Sequence, residues 1–306
     1  MEKNLKEMQK KIHQLQKNIF KFLLLGSNGL LGNELKKILP KKQTFTISRK
    51  GSDLNIDLRN LSKLENIFKK LKFKNVINCV AITNLLLCER NKKNCYLINE
   101  KLPIFLNKLS QIYNFNLIHI SSDQVYDSKV NKLNKETDKL GFYNYYSKTK
   151  FEAEKNLLKS KKKNLIIRTN FTGFQKNKHT FLSWLHKSLI EKKKLNLFED
   201  MYVSTLDVST CANIIKNLIN KNVSGVYNVG TNKPLTKKDF AIYFANKMQI
   251  DLNYKSVSLE EINLKRPKYL GLNVNKVEKR LKKKMISPKT VINNFVKKIK
   301  YENYRY

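Results

Sequence analysis

Phe22-Leu23-Leu24-Leu25-Gly26-Ser27-Asn28-Gly29-Leu30-Leu31-Gly32 joins an apolar run of strand length to three glycines at G-x-x-G-x-x-G spacing, and an amphipathic pattern through Glu34, Leu35, Ile38 and Leu39 follows. The order is strand, tight turn, helix start. Such a turn needs residues without a side chain, because backbone N–H groups must approach a pyrophosphate closely and the helix must pack tightly on the strand. Three of the chain's nine glycines fall in these seven positions. A glycine pattern alone is weak evidence; the strand before it and the helix after it make it a dinucleotide-binding turn. The cofactor contacts expected here are Gly26, Asn28, Gly29, Leu30, Leu31 and Gly32.

Downstream, residues 44–48 (TFTIS) read as a second strand, followed directly by Arg49-Lys50. In the dinucleotide fold an acid about 20 residues past the glycines holds the ribose 2′-hydroxyl, whereas an arginine accommodates a 2′-phosphate. No acid stands at Ser48 to Lys50, so NADPH is expected over NADH, with Arg49 as its reader and NADH left open. Asp57-Leu58 ends the next strand-like stretch and is the candidate for the adenine edge. Residues 75–81 (NVINCVA) are β-rich and lead into a helix carrying Cys88-Glu89 through Ile98-Asn99. Residues 116–120 (NLIHI) form the next strand, which ends in Ser121-Ser122-Asp123-Gln124-Val125-Tyr126. Strands alternating with helices over units of about thirty residues predict an α/β fold with a doubly wound parallel sheet, binding ligands at the carboxyl edge of its strands.

A helix start at Asn144-Tyr145-Tyr146-Ser147-Lys148-Thr149-Lys150 puts Tyr146 and Lys150 one turn apart on one face. The same spacing recurs at Tyr243 and Lys247, inside an amphipathic helix that reads as core. Position distinguishes Tyr146: it follows a strand ending in Ser-Ser-Asp by about two dozen residues, within a βα series opened by a glycine-rich turn. Hydride transfer to a carbonyl places negative charge on the oxygen, which needs a proton donor. A phenol of pKa ~10 serves at neutral pH when a nearby cation lowers that value. The catalytic expectation is therefore Tyr146 as acid, Lys150 as its tuner and as a ligand of the nicotinamide ribose, and Ser122 as the group polarising the carbonyl.

Composition bounds the alternatives. With 306 residues and 41% hydrophobic content, the chain can build roughly two domains around a sizeable core. No apolar run approaches the roughly 18 residues of a membrane span, and the first residues lack a signal-peptide core, so no membrane association and a cytoplasmic location are expected. The net charge of +38 invites a nucleic-acid reading. The lysines, however, are spread along the whole chain and no basic module stands out, so no dedicated nucleic-acid binding is expected, only attraction for anionic substrates. Cys79, Cys88, Cys95 and Cys211 contain no C-x-x-C and read as reduced, mostly buried thiols. The four histidines are scattered, and no metal is expected. Leu5, Met8, Ile12, Leu15 and Ile19 alternate spacings of three and four, which suits either an oligomerising helix or a helix docked on the core.

Taken together, the chain from residue 20 to about 281 resembles an extended short-chain dehydrogenase/reductase, and within that superfamily the dTDP-4-dehydrorhamnose reductase family. The resemblance is carried by residues 26–32, 76–84 (VINCVAITN), 120–127 (ISSDQVYD), 144–154, 167–171 (IRTNF), Ser204-Thr205, 225–230 (GVYNVG) and Arg266-Pro267, in the family's order. It implies that Cys79, Val80 and Ile82 line the cofactor, that Thr83 approaches nicotinamide and substrate, and that Asp123, Gln124, Phe171 and Arg266 join Ser122 in the substrate pocket. Two departures, Asn170-Phe171 for the frequent Ser-Trp and Gln124 for the frequent Tyr, touch that pocket and leave the sugar open. The implied organisation is an N-terminal extension (1–19), a Rossmann domain (20–170, with a late strand near 225–230 returning to the sheet) and a mainly substrate-binding lobe (171–300). The implied activity is NADPH-dependent reduction of the 4-keto group of a nucleotide-activated 4-keto-6-deoxyhexose, for deoxysugar or surface polysaccharide synthesis. An epimerase or dehydratase of the superfamily, a non-catalytic NADP-binding regulatory subunit, and a homodimer remain open.

Overall fold

Parallel strands covered on both faces bury every side chain, and their sequences read as continuous apolar runs. The computed structural model, which describes residues 19–128, 131–162, 164–174 and 180–302, shows this in β1 (Ile19–Leu25), where Leu23 to Leu25 are all fully buried. Neighbouring residues face opposite layers: Leu24, Ile77, Ile118 and Ile167 belong to one apolar cluster, Leu23, Val76, Leu117 and Ile166 to the other. The further strands are β2 (Thr44–Ser48), β3 (Leu54–Asn55), β4 (Lys72–Asn78), β5 (Asn116–Ile120), β6 (Leu165–Thr172), β7 (Leu195–Phe198), β8 (Tyr202–Val203), β9 (Thr205–Asp207), β10 (Gly225–Val229), β11 (Leu235–Thr236), β12 (Tyr254–Val257) and β13 (Tyr269–Leu270).

The main sheet runs β10-β6-β5-β4-β1-β2-β3, with β9 pairing the end of β6, and all its pairings are parallel. Chain order reverses between β1 and β4, so the crevice outside their carboxyl ends is where such a sheet takes a ligand. The Gly26 turn leaves β1 at that point. Two small sheets, β11-β8-β13 and β12-β7, gather the later segments. The apolar residues of the later helices are packed: Phe240, Phe244, Val277, Val291, Ile292 and Phe295 join the larger cluster.

Two local expectations change. The helix expected from Cys88 to Asn99 is broken into Leu85–Arg90 and Lys92–Cys95, followed by a π-helical turn, Tyr96–Lys101, and the helix Leu102–Ile112. The break is at Asn91, which leaves helical geometry (φ −127°, ψ 66°) and uses its side chain to accept from Asn94 N, so an Asx turn outcompetes helix continuation. Asp57 and Leu58 do not end a strand: β3 stops at Asn55. The N-terminal extension assigned to residues 1–19 lies outside the described residues except for Ile19, which opens β1.

Candidate active site

Gly26 adopts φ +79°, and a Cβ there would lie 2.9 Å from Val80 Cγ2; at Gly32 a Cβ would lie 2.1 Å from Gly26 O. Helix Leu30–Ile38 can therefore start this close to β1 only with glycine at Gly32, which leaves a cradle beside the helix N-terminus. Ser27 is fully buried and its Oγ has no partner among the described residues. Cys79 N donates to Leu25 O (3.1 Å), tying the exit of β4 to the turn. Asn99, in the π-helical turn, holds the segment after β4: Ile82 N donates to its Oδ1 (2.8 Å) and its Nδ2 donates to Ile82 O (2.9 Å). Cys79 and Val80 thereby lie against Gly26, Ile82 packs on the cluster of Leu85, Cys88, Cys95 and Tyr146, and Thr83 is exposed in the same loop.

At the end of β2, Arg49 is exposed, and among the described residues it makes no hydrogen bond or ion pair. Both nearby acids are engaged elsewhere. Asp53 accepts from Thr46 N (2.9 Å) and Thr46 Oγ1 (2.7 Å). Asp57 is paired with Arg59, which holds its carboxyl below the usual range. An open groove of about 600 Å³ lies against Asp57, Arg59, Asn60, Leu61 and Lys101. An exposed arginine with no ion pair among the described residues, next to a glycine cradle, suits a 2′-phosphorylated dinucleotide.

Ser122 and Asp123 leave β5 at the carboxyl edge, where Ser122 caps a 3-10 turn by accepting from Gln124 N (3.2 Å) and donates to Asp123 Oδ1 (3.0 Å). Helix Tyr145–Leu158 starts beside them through a capping box of Asn144 and Ser147, reinforced by Glu89 Oε1 accepting from Tyr145 N (2.7 Å). Its inner stripe of Tyr146, Lys150, Ala153 and Leu157 is buried against the sheet. The phenol of Tyr146 is buried beside Ser122, and burial raises its pKa above the ordinary tyrosine value, against the lowering influence of the Ser122 hydroxyl. Lys150 Nζ donates to Ile120 O (2.6 Å) and faces His119 Nε2 (3.2 Å); among the described residues it makes no hydrogen bond to the phenol. Burial pushes the Lys150 ammonium down to about 8, against the attraction of Glu154, and holds the His119 imidazole neutral. Lys150 also contacts His119, a contact that sequence reading missed because His119 had no recognisable partner along the chain.

On the other side of Ser122, Asp123 accepts from Asn170 Nδ2 (2.9 Å), whose Oδ1 in turn accepts from Thr205 Oγ1 (2.9 Å). Lys237, first residue of helix Lys237–Met248, points its charge at Asp123 and stacks its Nζ 4.2 Å from the Phe181 ring centre. Arg266 lies 6.0 Å over Phe198 and is close enough to Lys237 to depress it. Gln124 Oε1 and Arg266 Nε are buried with no partner among the described residues. Phe171 is half-buried in the same β6 end as Asn170. Lys237 was missed in the sequence; its one signal was position, directly after the Thr236 cap.

Burial pushes the Asp123 carboxyl up to about 6, against its hydrogen bonds and Lys237. An acid whose folded pKa exceeds its unfolded value of ~3.9 holds its proton more tightly when folded. Its contribution is full below that unfolded value and is lost as the pH rises through about 6. Asp123→Asn is expected to remove on the order of 3 kcal/mol of slope from the pH 4–6 stability profile. Urea melts at both ends of that range check it; an unchanged slope contradicts it.

A glycine cradle at the switch point of a parallel sheet, with Ser122, Tyr146 and Lys150 at the adjoining strand and helix, defines a short-chain dehydrogenase/reductase scaffold. The chain belongs to the family described as the RmlD substrate binding domain, whose model matches residues 20–301. It is 28% identical over 152 residues to the dTDP-4-dehydrorhamnose reductase of Aggregatibacter actinomycetemcomitans, and spans about half (51%) of that relative with 50% of its own length. It is 26% identical to the spore coat polysaccharide biosynthesis protein SpsK of Bacillus subtilis, covering 84% of this chain and 90% of that one. The Bacillus anthracis dTDP-4-dehydrorhamnose reductase, solved in complex with NADP, superposes with a TM-score of 0.82 at 22% identity, over 91% of this chain and 99% of that one. Among the described residues no helix is long and apolar enough to cross a membrane.

Proposed function

We propose that the chain is an NADPH-dependent reductase of the 4-keto group of a nucleotide-activated 4-keto-6-deoxyhexose, serving deoxysugar and polysaccharide synthesis in the cytoplasm. The observation that carries the reading is the buried Tyr146 phenol beside Ser122, the residue that follows the carboxyl end of β5, in a sheet whose β1 runs into the Gly26–Gly32 cradle. In this reading residues 20–170 with β10 hold the cofactor, through the glycine turn, Arg49, Asp57-Leu58, Cys79, Val80 and Ile82. Most of residues 171–300 form the lid over the sugar nucleotide.

Bound NADPH supplies the hydride. The chain supplies the proton and the placement. Burial keeps the Tyr146 phenol protonated at neutral pH, the form a general acid must have, so Oη can give its proton to the carbonyl oxygen as charge develops there. Ser122 Oγ, now donating to Asp123, turns the same hydrogen to that oxygen and orients the carbonyl. Lys150, held on Ile120 O and His119, presents its charge below the phenol and toward the ribose. Gln124, Asn170, Phe171 and Thr83 contact the sugar, while Lys237 and Arg266 face the diphosphate, consistent with a protein of net charge +38. A homodimer is the assembly proposed.

The test is NADPH oxidation by the purified protein with freshly generated dTDP-4-keto-6-deoxyhexose. Stoichiometric oxidation is expected; NADPH binding without oxidation across several nucleotide sugars overturns the reading, and interconversion of nucleotide sugars without net oxidation points to an epimerase. Arg49→Ala is expected to raise KM for NADPH about 10- to 100-fold, the weight of a charge-assisted phosphate contact, and to leave KM for NADH unchanged. Equal effects on the two cofactors would remove Arg49 from the 2′-phosphate.

A further inference from the structure

Cys88 and Cys95 stand seven residues apart, which on an unbroken helix separates them by ~10 Å along the axis. The chain leaves helical geometry at Asn91, and the two sulfurs come to 2.8 Å, with Cys95 Sγ donating to Cys88 Sγ. Both thiols are fully buried, and with Leu85 and Tyr146 they form a separate apolar cluster, so they pack directly behind the proposed acid. Cys95 Sγ also accepts from Asn99 Nδ2 (3.3 Å) and lies 3.5 Å from Thr149 Oγ1, on the Tyr146 helix. Neither thiol has a role in the reduction.

We propose that Cys88 and Cys95 are a peroxide-responsive dithiol that closes to an intramolecular disulfide behind Tyr146. Closure needs the sulfurs to approach by only about 0.8 Å, to the ~2.05 Å of an S–S bond. The reaction is a balanced two-electron oxidation with a hydroperoxide as oxidant. Cys95, as thiolate, attacks the terminal peroxide oxygen, breaking the O–O bond and releasing an alcohol, or water from hydrogen peroxide, once the leaving oxygen takes a proton. Cys88 sulfur then attacks the resulting sulfenic acid, forming the S–S bond and releasing water. Once Cys95 gives up its proton, Cys88, Thr149 and Asn99 can all donate to its sulfur, which favours the Cys95 thiolate. Cys211 is pushed up to about 12 by burial, and Cys79 is raised by burial as well, so neither competes as nucleophile. The outer face of helix Leu85–Arg90 is exposed at Leu86 and Leu87, and a segment this short opens locally at low cost, which admits a small peroxide and excludes bulky disulfides.

Oxidation reaches the site through charge. Ionised Cys95 holds up the pKa of both the Tyr146 phenol and the Lys150 ammonium; a disulfide cannot ionise and withdraws both effects. The pH profile of NADPH turnover therefore moves to lower pH on oxidation, and dithiothreitol moves it back.

The experiment treats the reduced full chain with excess hydrogen peroxide, quenches, alkylates under denaturing conditions and maps peptides by mass spectrometry without reduction. Alkylatable thiols are expected to fall from four to two, with one cross-linked peptide pair joining Cys88 to Cys95, and Cys95→Ala is expected to abolish both the cross-link and the pH shift. Four thiols retained after peroxide, a cross-link involving Cys79 or Cys211, or a Cys88→Ser variant that still loses two thiols overturns the proposal. Thiol counting on the unmodified sequence needs no activity, so failure here is distinguishable from failure of the reductase reading.

Discussion

Tyr146→Phe is expected to lower kcat by about 10²- to 10⁴-fold, the usual weight of a positioned general acid, while leaving NADPH affinity and the melting temperature close to those of the parent. The ring contributes to the cluster with Leu85, Cys88 and Cys95, and phenylalanine keeps that packing. Only the hydroxyl is removed, and Ser122 retains Asp123 and Gln124 N as partners, so no buried donor is stranded. What disappears is the proton. The direction of the Tyr146 shift matters: burial lifts the phenol's pKa, so it stays protonated throughout the neutral range, and a protonated phenol is an acid ready for carbonyl reduction rather than a base ready for alcohol oxidation. Steady-state NADPH oxidation beside fluorescence titration of NADPH separates the terms. A fall in kcat of less than tenfold, with binding intact, would move the proton-donating role away from Tyr146.

The parts of this site that could be read in the sequence are those fixed by local geometry. Gly26 and Gly32 are readable because no other residue fits a positive φ beside Val80 or a helix start against Gly26 O. Tyr146 and Lys150 are readable because a four-residue spacing places them on one helical face wherever that helix lies. What could not be read are contacts made by residues far apart in the chain. His119 meets Lys150 across 31 positions, and Lys237 reaches Asp123 from a helix more than a hundred residues later. Cys88 and Cys95 failed for a different reason: their approach depends on Asn91 choosing its own Asx turn over the helix, a competition that periodicity does not register. Lys150 was expected to tune Tyr146 and to hold the nicotinamide ribose; that Ile120 O and His119 hold its ammonium was not readable, because both are about thirty positions away in the chain.

Arg168→Met is expected to cost about 3–5 kcal/mol, the usual penalty for leaving one member of a buried ion pair unpaired. Arg168 on β6 and Glu154 on the Tyr146 helix are both almost completely buried and joined by a salt bridge, with Arg168 Nε donating to Glu154 Oε1 at 2.8 Å. The remaining valences are used: Ser121 Oγ donates to Glu154 Oε2 (2.8 Å), Arg168 Nη1 donates to Tyr126 Oη (2.9 Å) and Glu136 O (3.0 Å), and Tyr126 Oη donates to Asn228 Oδ1 (2.7 Å). Glu154 therefore ties the helix carrying Tyr146 and Lys150 to Ser121, the residue before Ser122, and so sets the spacing between acid and polariser. Without arginine the carboxylate stays buried and must either take up a proton or draw water inward, and in both cases that spacing loosens. At ~2–4 °C per kcal/mol for a chain of this size, the melting temperature should fall by roughly 10 °C. Glu154→Leu combined with Arg168→Met removes both charges and should recover most of the stability, since apolar replacement of a buried pair is often neutral. Activity should not recover with it: Ser121 loses its acceptor and Lys150 loses the carboxylate that most strongly opposes its depression below the ordinary lysine range. Melting curves and kcat measured on the same three proteins decide the matter. If the double variant regains full kcat along with its stability, the pair holds up the fold and contributes nothing to the placement of Ser122 against Tyr146.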